Sequence, residues 1–112
     1  MSQRIKRVNS LLKEEVAKLL LKEIDFPREV LVTVSKVTCS SNLIEAKVYI
    51  SCLPQERWRE VSRVLKKNIW SLQKKLDKML KMRPVPKIIF VQDKEIEKAA
   101  RVEELLERIK EE

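Results

Sequence analysis

The residues of this sequence whose number and spacing could do chemistry are cations. Ten of them (Arg57, Arg59, Arg63, Lys66, Lys67, Lys74, Lys75, Lys78, Lys81 and Arg83) fall within residues 57–83, against two acids, Glu60 and Asp77. The chemistry open to such a group is the binding of a polyanion, because lysine and arginine side chains displace the counterions that surround phosphates. Routes to catalysis are few. The absence of histidine excludes His-based triads and the usual zinc-hydrolase ligand sets. The absence of glycine excludes a phosphate-binding loop, a dinucleotide fingerprint and a nucleophile elbow. Cys39 and Cys52 are the only thiols; their spacing matches no zinc or redox motif and suits half-buried strand residues. The carboxylate pairs Glu14-Glu15, Glu103-Glu104 and Glu111-Glu112 are neighbours in sequence, so on a helix they point apart and make no paired acid/base site. The expectation is a protein that catalyses nothing and uses no cofactor or metal.

Composition supports a polyanionic partner. The chain has 112 residues, a single domain's length, with 44% apolar and 38% charged residues and a net charge of +8. A pI near 9.7 points to nucleic acid first and an anionic membrane surface second. The first seven residues run into Lys13, Glu14 and Glu15 before an apolar signal core could form, and no apolar run approaches the ~20 residues of a spanning helix. A cytoplasmic location is expected.

The elements that must position these cations follow from periodicity. Residues 4–23 read as an amphipathic helix, with Ile5, Val8, Leu12, Val16, Leu19 and Leu20 at three-four spacing and Arg4, Arg7, Lys13 and Lys18 outside. Pro27 closes that segment. Residues 30–38 read as a strand with Val30, Val32 and Val34 on one face. Residues 42–52 alternate more cleanly, with Ile44, Ala46, Val48, Ile50 and Cys52 facing one way. Ser40-Ser41-Asn42 is a polar turn, so the two strands should form an antiparallel hairpin. Cys39 then sits beside the turn and Cys52 at the far end, about 30 Å away at ~3.3 Å per residue, which rules out an internal disulfide. Pro54 suits the start of a helical stretch reaching about residue 82, with Trp58, Val61, Leu65, Ile69, Leu72, Leu76, Met79 and Leu80 on its inner face. Arg83-Pro84-Val85-Pro86 breaks it and delivers a third strand at 87–92. Residues 94–110 return to helical periodicity, with Ile96, Ala99, Val102, Leu106 and Ile109 as the seam. The order is α-β-β-α(α)-β-α, an α+β sandwich with helices on one sheet face.

On the long helix, at about 100° per residue, Arg59, Arg63, Lys66, Lys67, Lys74, Lys78 and Lys81 form one stripe opposite the inner face. Trp70 falls inside that stripe, where a base could stack on it; a helix break nearby would instead rotate it into the core. Basic residues on a helix face can simply be solvated, but like charges this close repel by a few tenths of a kcal/mol per pair, and phosphates would relieve that repulsion. From Lys94 onward there are five basic and seven acidic residues, which leaves +10 on residues 1–93.

Several stretches resemble the ribosome-binding factor A family. Arg4-Ile5-Lys6-Arg7-Val8 is similar to its opening Arg-x-x-Arg-Val, and residues 42–50 (Asn-Leu-Ile-Glu-Ala-Lys-Val-Tyr-Ile) to its second strand. Residues 82–93 (Met-Arg-Pro-Val-Pro-Lys-Ile-Ile-Phe-Val-Gln-Asp) are similar to its Leu-Arg-x-Val-Pro-x-Leu-x-Phe-x-x-Asp, and residues 96–106 to the motif after the last strand. The resemblance covers nearly the whole chain. It implies a type II KH-like α-β-β-α-(kink)-α-β sandwich with a three-stranded sheet, here followed by a C-terminal helix. Residues 1–93 would be the RNA-binding domain and 94–112 its helical extension. The implied partner is the small ribosomal subunit and its rRNA, met during late maturation by a monomer with no membrane or small-molecule substrate. The family's helix kink, at an Ala-x-Gly, matches Asn68-Ile69-Trp70 here; without glycine, periodicity also allows a continuous helix. The family's Asp-Pro-Arg is loosened to Asp25-Phe26-Pro27-Arg28. Ordinary KH domains grip RNA with a Gly-x-x-Gly loop, which this chain lacks. Binding should therefore rest on Arg4, Arg7, Arg59, Arg63, Lys66, Lys67, Trp70, Lys74, Lys78, Lys81 and Arg83. A general DNA-architectural or RNA-coating protein is the alternative; the acidic start Pro54-Gln55-Glu56 of the long helix is unsuited to entering a DNA groove.

Overall fold

The computed structural model describes residues 3–94. The elements run α1 (Gln3–Glu23), β1 (Leu31–Cys39), β2 (Glu45–Leu53), a 3₁₀ turn (Gln55–Arg57), α2 (Trp58–Met79) and β3 (Lys87–Gln92). The sheet order is β1-β2-β3. β2 pairs with β1 antiparallel and with β3 parallel, so α2 is the crossover that the parallel pair requires. The C-terminal helix expected at 94–110 lies outside the described residues, apart from Lys94.

One core joins both helices to one face of the sheet. Val8, Leu12, Val16, Leu19 and Leu20 of α1 and Val61, Leu65, Leu72 and Leu76 of α2 are buried with Ala46, Val48, Ile50 and Cys52, the alternate residues of β2. That is the alternation expected from 46 onward, but Ile44 departs from it. The strand begins at Glu45, Ile44 belongs to the turn, and its side chain is 56% exposed. Met79 is likewise exposed, because α2 ends there and the chain leaves the sheet.

β1 changes phase midway along its length. A bulge between Val34 and Lys36 inserts Ser35, so Val37 turns inward where simple alternation would have buried Lys36. The Ser35 hydroxyl lies 3.2 Å from the Tyr49 carbonyl and donates to the buried Asp93 carboxylate, while the Asp93 N–H donates to the Ile50 carbonyl. The bulge is thereby tied across β2 to the end of β3. The register sets Cys39 opposite Ala46 and Cys52 opposite Val32, at opposite ends of the hairpin, and neither is in a disulfide among the described residues.

α2 is continuous through Asn68-Ile69-Trp70, so the kink expected from the resemblance does not interrupt it. These three positions hold no glycine or proline to open the backbone ladder, and the Asn68 side chain donates to the Val64 carbonyl one turn back. The helix stops about three residues earlier than its periodicity suggests. Leu80 is already extended, and the Arg83 guanidinium donates to the Leu80 and Met82 carbonyls. The bond to Leu80 supplies a partner for the C-cap carbonyl, which the helix end leaves without an intrahelical bond.

Candidate nucleic-acid interface

Burial of Val61, Leu65, Leu72 and Leu76 fixes the rotation of α2 about its axis, and with it the outward face. Arg59, Arg63, Lys66, Lys67, Lys74 and Lys78 are all exposed on that face, and exposed Lys81 follows just beyond the helix end. None of the seven is in an ion pair among the described residues. The two other α2-side cations behave differently. Arg57 grips Glu60 through Nε (3.3 Å) and Nη2 (2.8 Å) and donates from Nη1 to the Arg28 carbonyl. Lys75, on the flank facing α1, pairs with Glu23. Hydrogen bonds from Arg57 and Lys75 hold the carboxyls of Glu60 and Glu23 below the usual glutamate value. Glu60 and Glu23 are thus each engaged by a cation outside the stripe. Asp77 accepts a hydrogen bond from Gln73.

Trp70 is 78% exposed, on the same side as the stripe, so of the two placements open from the sequence the structure has the outward one. With Ile69, Gln73, Asp77, Lys87 and Ile88 it lines a cavity of about 370 Å³ between α2 and β3. Gln73 builds the floor of this cavity. Its Nε2 donates to the Pro86 carbonyl (3.1 Å), and its Oε1 accepts from the Ile88 N–H (2.9 Å), which pins the outer side of β3 to the helix. Sequence reasoning missed Gln73. Its only signal is a polar residue at the margin of an otherwise apolar helix face.

Arg4 and Arg7 are exposed near the start of α1. Arg4 and Arg83 line one cavity of about 310 Å³ together with residues of the β1–β2 turn. Arg83 also lines a neighbouring cavity with Lys74, Asp77 and Lys78. Arg83 therefore links the C-terminal half of the stripe to the α1 end of the molecule. Arg59 and Arg63, at the other end of α2, and Arg7 line none of these three cavities. Among the described residues there is no group of three or more His, Cys, Asp or Glu placed to hold a metal ion, and no helix is long and apolar enough to cross a membrane. Burial pushes the Cys39 thiol up from its ordinary value, which makes it a poor nucleophile.

The arrangement offers exposed cations, an exposed indole and cavities along one side of a continuous helix, groups able to contact a phosphate backbone. Comparison with known proteins points to one family. The family model described as ribosome-binding factor A matches residues 4–106. The chain is 35% identical to a Halothermothrix orenii protein of that name, over 98% of this chain and 91% of the relative. It is 38% identical to a Coxiella burnetii protein of the same name, over 96% and 91%. The fold is similar to that of ribosome-binding factor A from Thermus thermophilus in a crystal structure, with a TM-score of 0.68 at 24% identity, covering 79% of this chain and 93% of that one.

Proposed function

The chain belongs to the ribosome-binding factor A family, and from that premise we propose that it is a non-catalytic assembly factor that binds small-subunit rRNA during late maturation. The observation that carries the reading is the contrast in charge pairing along α2 and just past its end: seven outward cations in no ion pair among the described residues, beside two flanking cations that each hold an acid. Leaving seven like charges unneutralised is a persistent repulsion, and a surface of phosphates is the partner that removes it. With no Gly-x-x-Gly loop, the protein recognises folded RNA by shape and charge, Trp70 adding a stacking surface. Residues 1–93 act as the KH-like RNA-binding unit, with residues 94–112 as an extension of it. The protein acts as a cytoplasmic monomer, needs no cofactor or small-molecule substrate, and stabilises one rRNA conformation until processing is complete.

The experiment has two parts. In sedimented lysate the protein should travel with free small subunits and not with complete ribosomes, and a deletion strain should accumulate unprocessed small-subunit rRNA. With purified rRNA, log affinity should fall linearly with log salt, at a slope of about −4 to −7 if roughly five to eight phosphates are engaged. A normal subunit profile with fully trimmed rRNA in the deletion strain, or affinity independent of salt, contradicts the proposal. Equal affinity for a DNA duplex and for rRNA favours a general coating protein instead.

A further inference from the structure

The stripe on α2 does not account for the notch at one end of the molecule. The first turn of α1, the β1–β2 turn and the α2–β3 connection meet there around a cavity of about 310 Å³. Its lining is of two kinds. Arg4, Arg83 and Asn42 supply charge and hydrogen-bond donors, while Leu43, Met82 and Pro84 supply an apolar surface. We propose that this notch receives one unpaired nucleotide of the RNA held by the α2 stripe, its phosphate on the guanidinium groups and its base on the apolar surface with an edge toward Asn42. The proposal rests on reading the stripe as an RNA-binding face.

Three observations support it. Two of the polar groups, Arg83 and Asn42, are fixed in advance. Nη1 of Arg83 is held by the carbonyls of Leu80 and Met82, both at 2.7 Å, which leaves Nε and Nη2 to meet a phosphate. Oδ1 of Asn42 accepts from the Ser40 hydroxyl (2.6 Å) and the Ile44 N–H (3.2 Å). Two donors on one atom identify it as the amide oxygen, so the amide NH₂ remains to donate to a base edge. Ordering these groups beforehand lowers the entropy lost on binding. Second, Leu43 adopts φ 59°, the left-handed region that a bulky side chain rarely enters and that no glycine relieves in this chain. Such strain is found disproportionately at ligand sites. Third, the notch is continuous with the stripe, because Arg83 and Pro84 also line the adjoining cavity that contains Lys74 and Lys78. RNA lying along α2 would reach the notch without leaving the protein. Size narrows the ligand further. Small-molecule pockets run from roughly 300 to 1,000 Å³, so the notch, at the lower end, has room for a single nucleotide and none for a duplex.

The test compares two RNAs, a blunt duplex and the same duplex with a short single-stranded 3′ overhang. The wild-type protein should bind the overhang RNA on the order of tenfold more tightly, the gain from a charged contact and a stacked base. Asn42→Ala should remove most of that preference and leave blunt-duplex affinity unchanged. Because Asn42 also braces its own turn, a second measurement uses the unaltered protein: 4-thiouridine at the overhang terminus should photocrosslink within residues 40–44 or 82–84, read by mass spectrometry. Equal affinity for the two RNAs, or crosslinks confined to other residues, overturns the notch and leaves the stripe standing. Blunt-duplex binding that ignores Lys67→Glu, Lys74→Glu and Lys78→Glu together overturns the stripe, and the notch with it.

Discussion

α1 and α2 are nearly equal in length, at 21 and 22 residues, and bury their inner faces in the same core. Their outer faces have opposite logic. On α1, Lys18 sits 3.2 Å from Glu14 and 3.8 Å from Glu15, and Glu23 reaches across to Lys75. That helix neutralises part of its own charge, as an ordinary solvated surface does. On α2 Glu60 is held by Arg57 at the helix start, Asp77 lies among the cations and accepts from Gln73, and the outward cations enter no ion pair among the described residues. Two helices alike in burial thus differ in charge pairing more than in charge count, and the less paired face is the one we propose to meet RNA.

The largest effects should appear where the helices are alike. Leu12→Ala and Leu65→Ala, each removing a fully buried side chain, should both destabilise the domain by about 2–5 kcal/mol in denaturant titrations. A much smaller loss for one would show that the two helices do not share the core equally. Next comes the outer contrast. Reversing Lys67, Lys74 and Lys78 to Glu should weaken rRNA binding by on the order of a hundredfold and flatten its salt slope, since several phosphate contacts are lost. The matched reversal of Lys13, Lys18 and Lys22 on α1 should cost far less in the same filter-binding assay. Equal losses would reduce the stripe to a matter of net charge.

Trp70→Ala sharpens the comparison from the α2 side. The indole is mostly exposed, so the melting temperature should barely move, while rRNA binding should weaken by about 1–3 kcal/mol if a base stacks there. A sharp fall in melting temperature with affinity intact would assign Trp70 to packing. The smallest effect belongs to the pair that links the helices. Lys75 lowers the pKa of Glu23, so the pair's stabilisation is present above the ordinary glutamate pKa of about 4.3 and is lost as pH falls through the lowered value. Glu23→Gln should therefore melt slightly earlier than wild type at neutral pH, with the gap closing in acid. It is a surface pair, and its contribution should also shrink in salt. RNA affinity, carried by lysine and arginine in a chain without histidine, should be flat between about pH 6 and 8.

Much of this was legible in the residues because it depends on local period. The span of α1, the buried alternation from Ala46 to Cys52, the third strand and the outward direction of the stripe are each set by side-chain spacing within one element. What periodicity missed depends on meetings between segments. The inward turn of Val37 follows from a bulge tied down by Asp93, 58 positions from Ser35. The early end of α2 reflects a guanidinium that reaches back from beyond the helix. Trp70 could be read either way because a kink and a continuous helix put it on different sides, and nothing local decided between them. The notch is the extreme case: Arg4, Asn42 and Arg83 come from three distant parts of the chain, and no spacing within any one of them foretells the others.

Gln73 also covers the start of the sheet's open border. β3 is a border strand, and such strands offer backbone donors and acceptors that a foreign chain can adopt, the starting point of strand addition and fibril growth. In the parallel register with β2, the Lys87 N–H points inward to the Ile44 carbonyl and the Ile88 N–H points away from the sheet. The amide of Gln73 already occupies that outward donor and the Pro86 carbonyl beside it. The side chain stands where the next strand's backbone would begin, so an intruding chain would have to displace an intact amide pair before gaining its first bond.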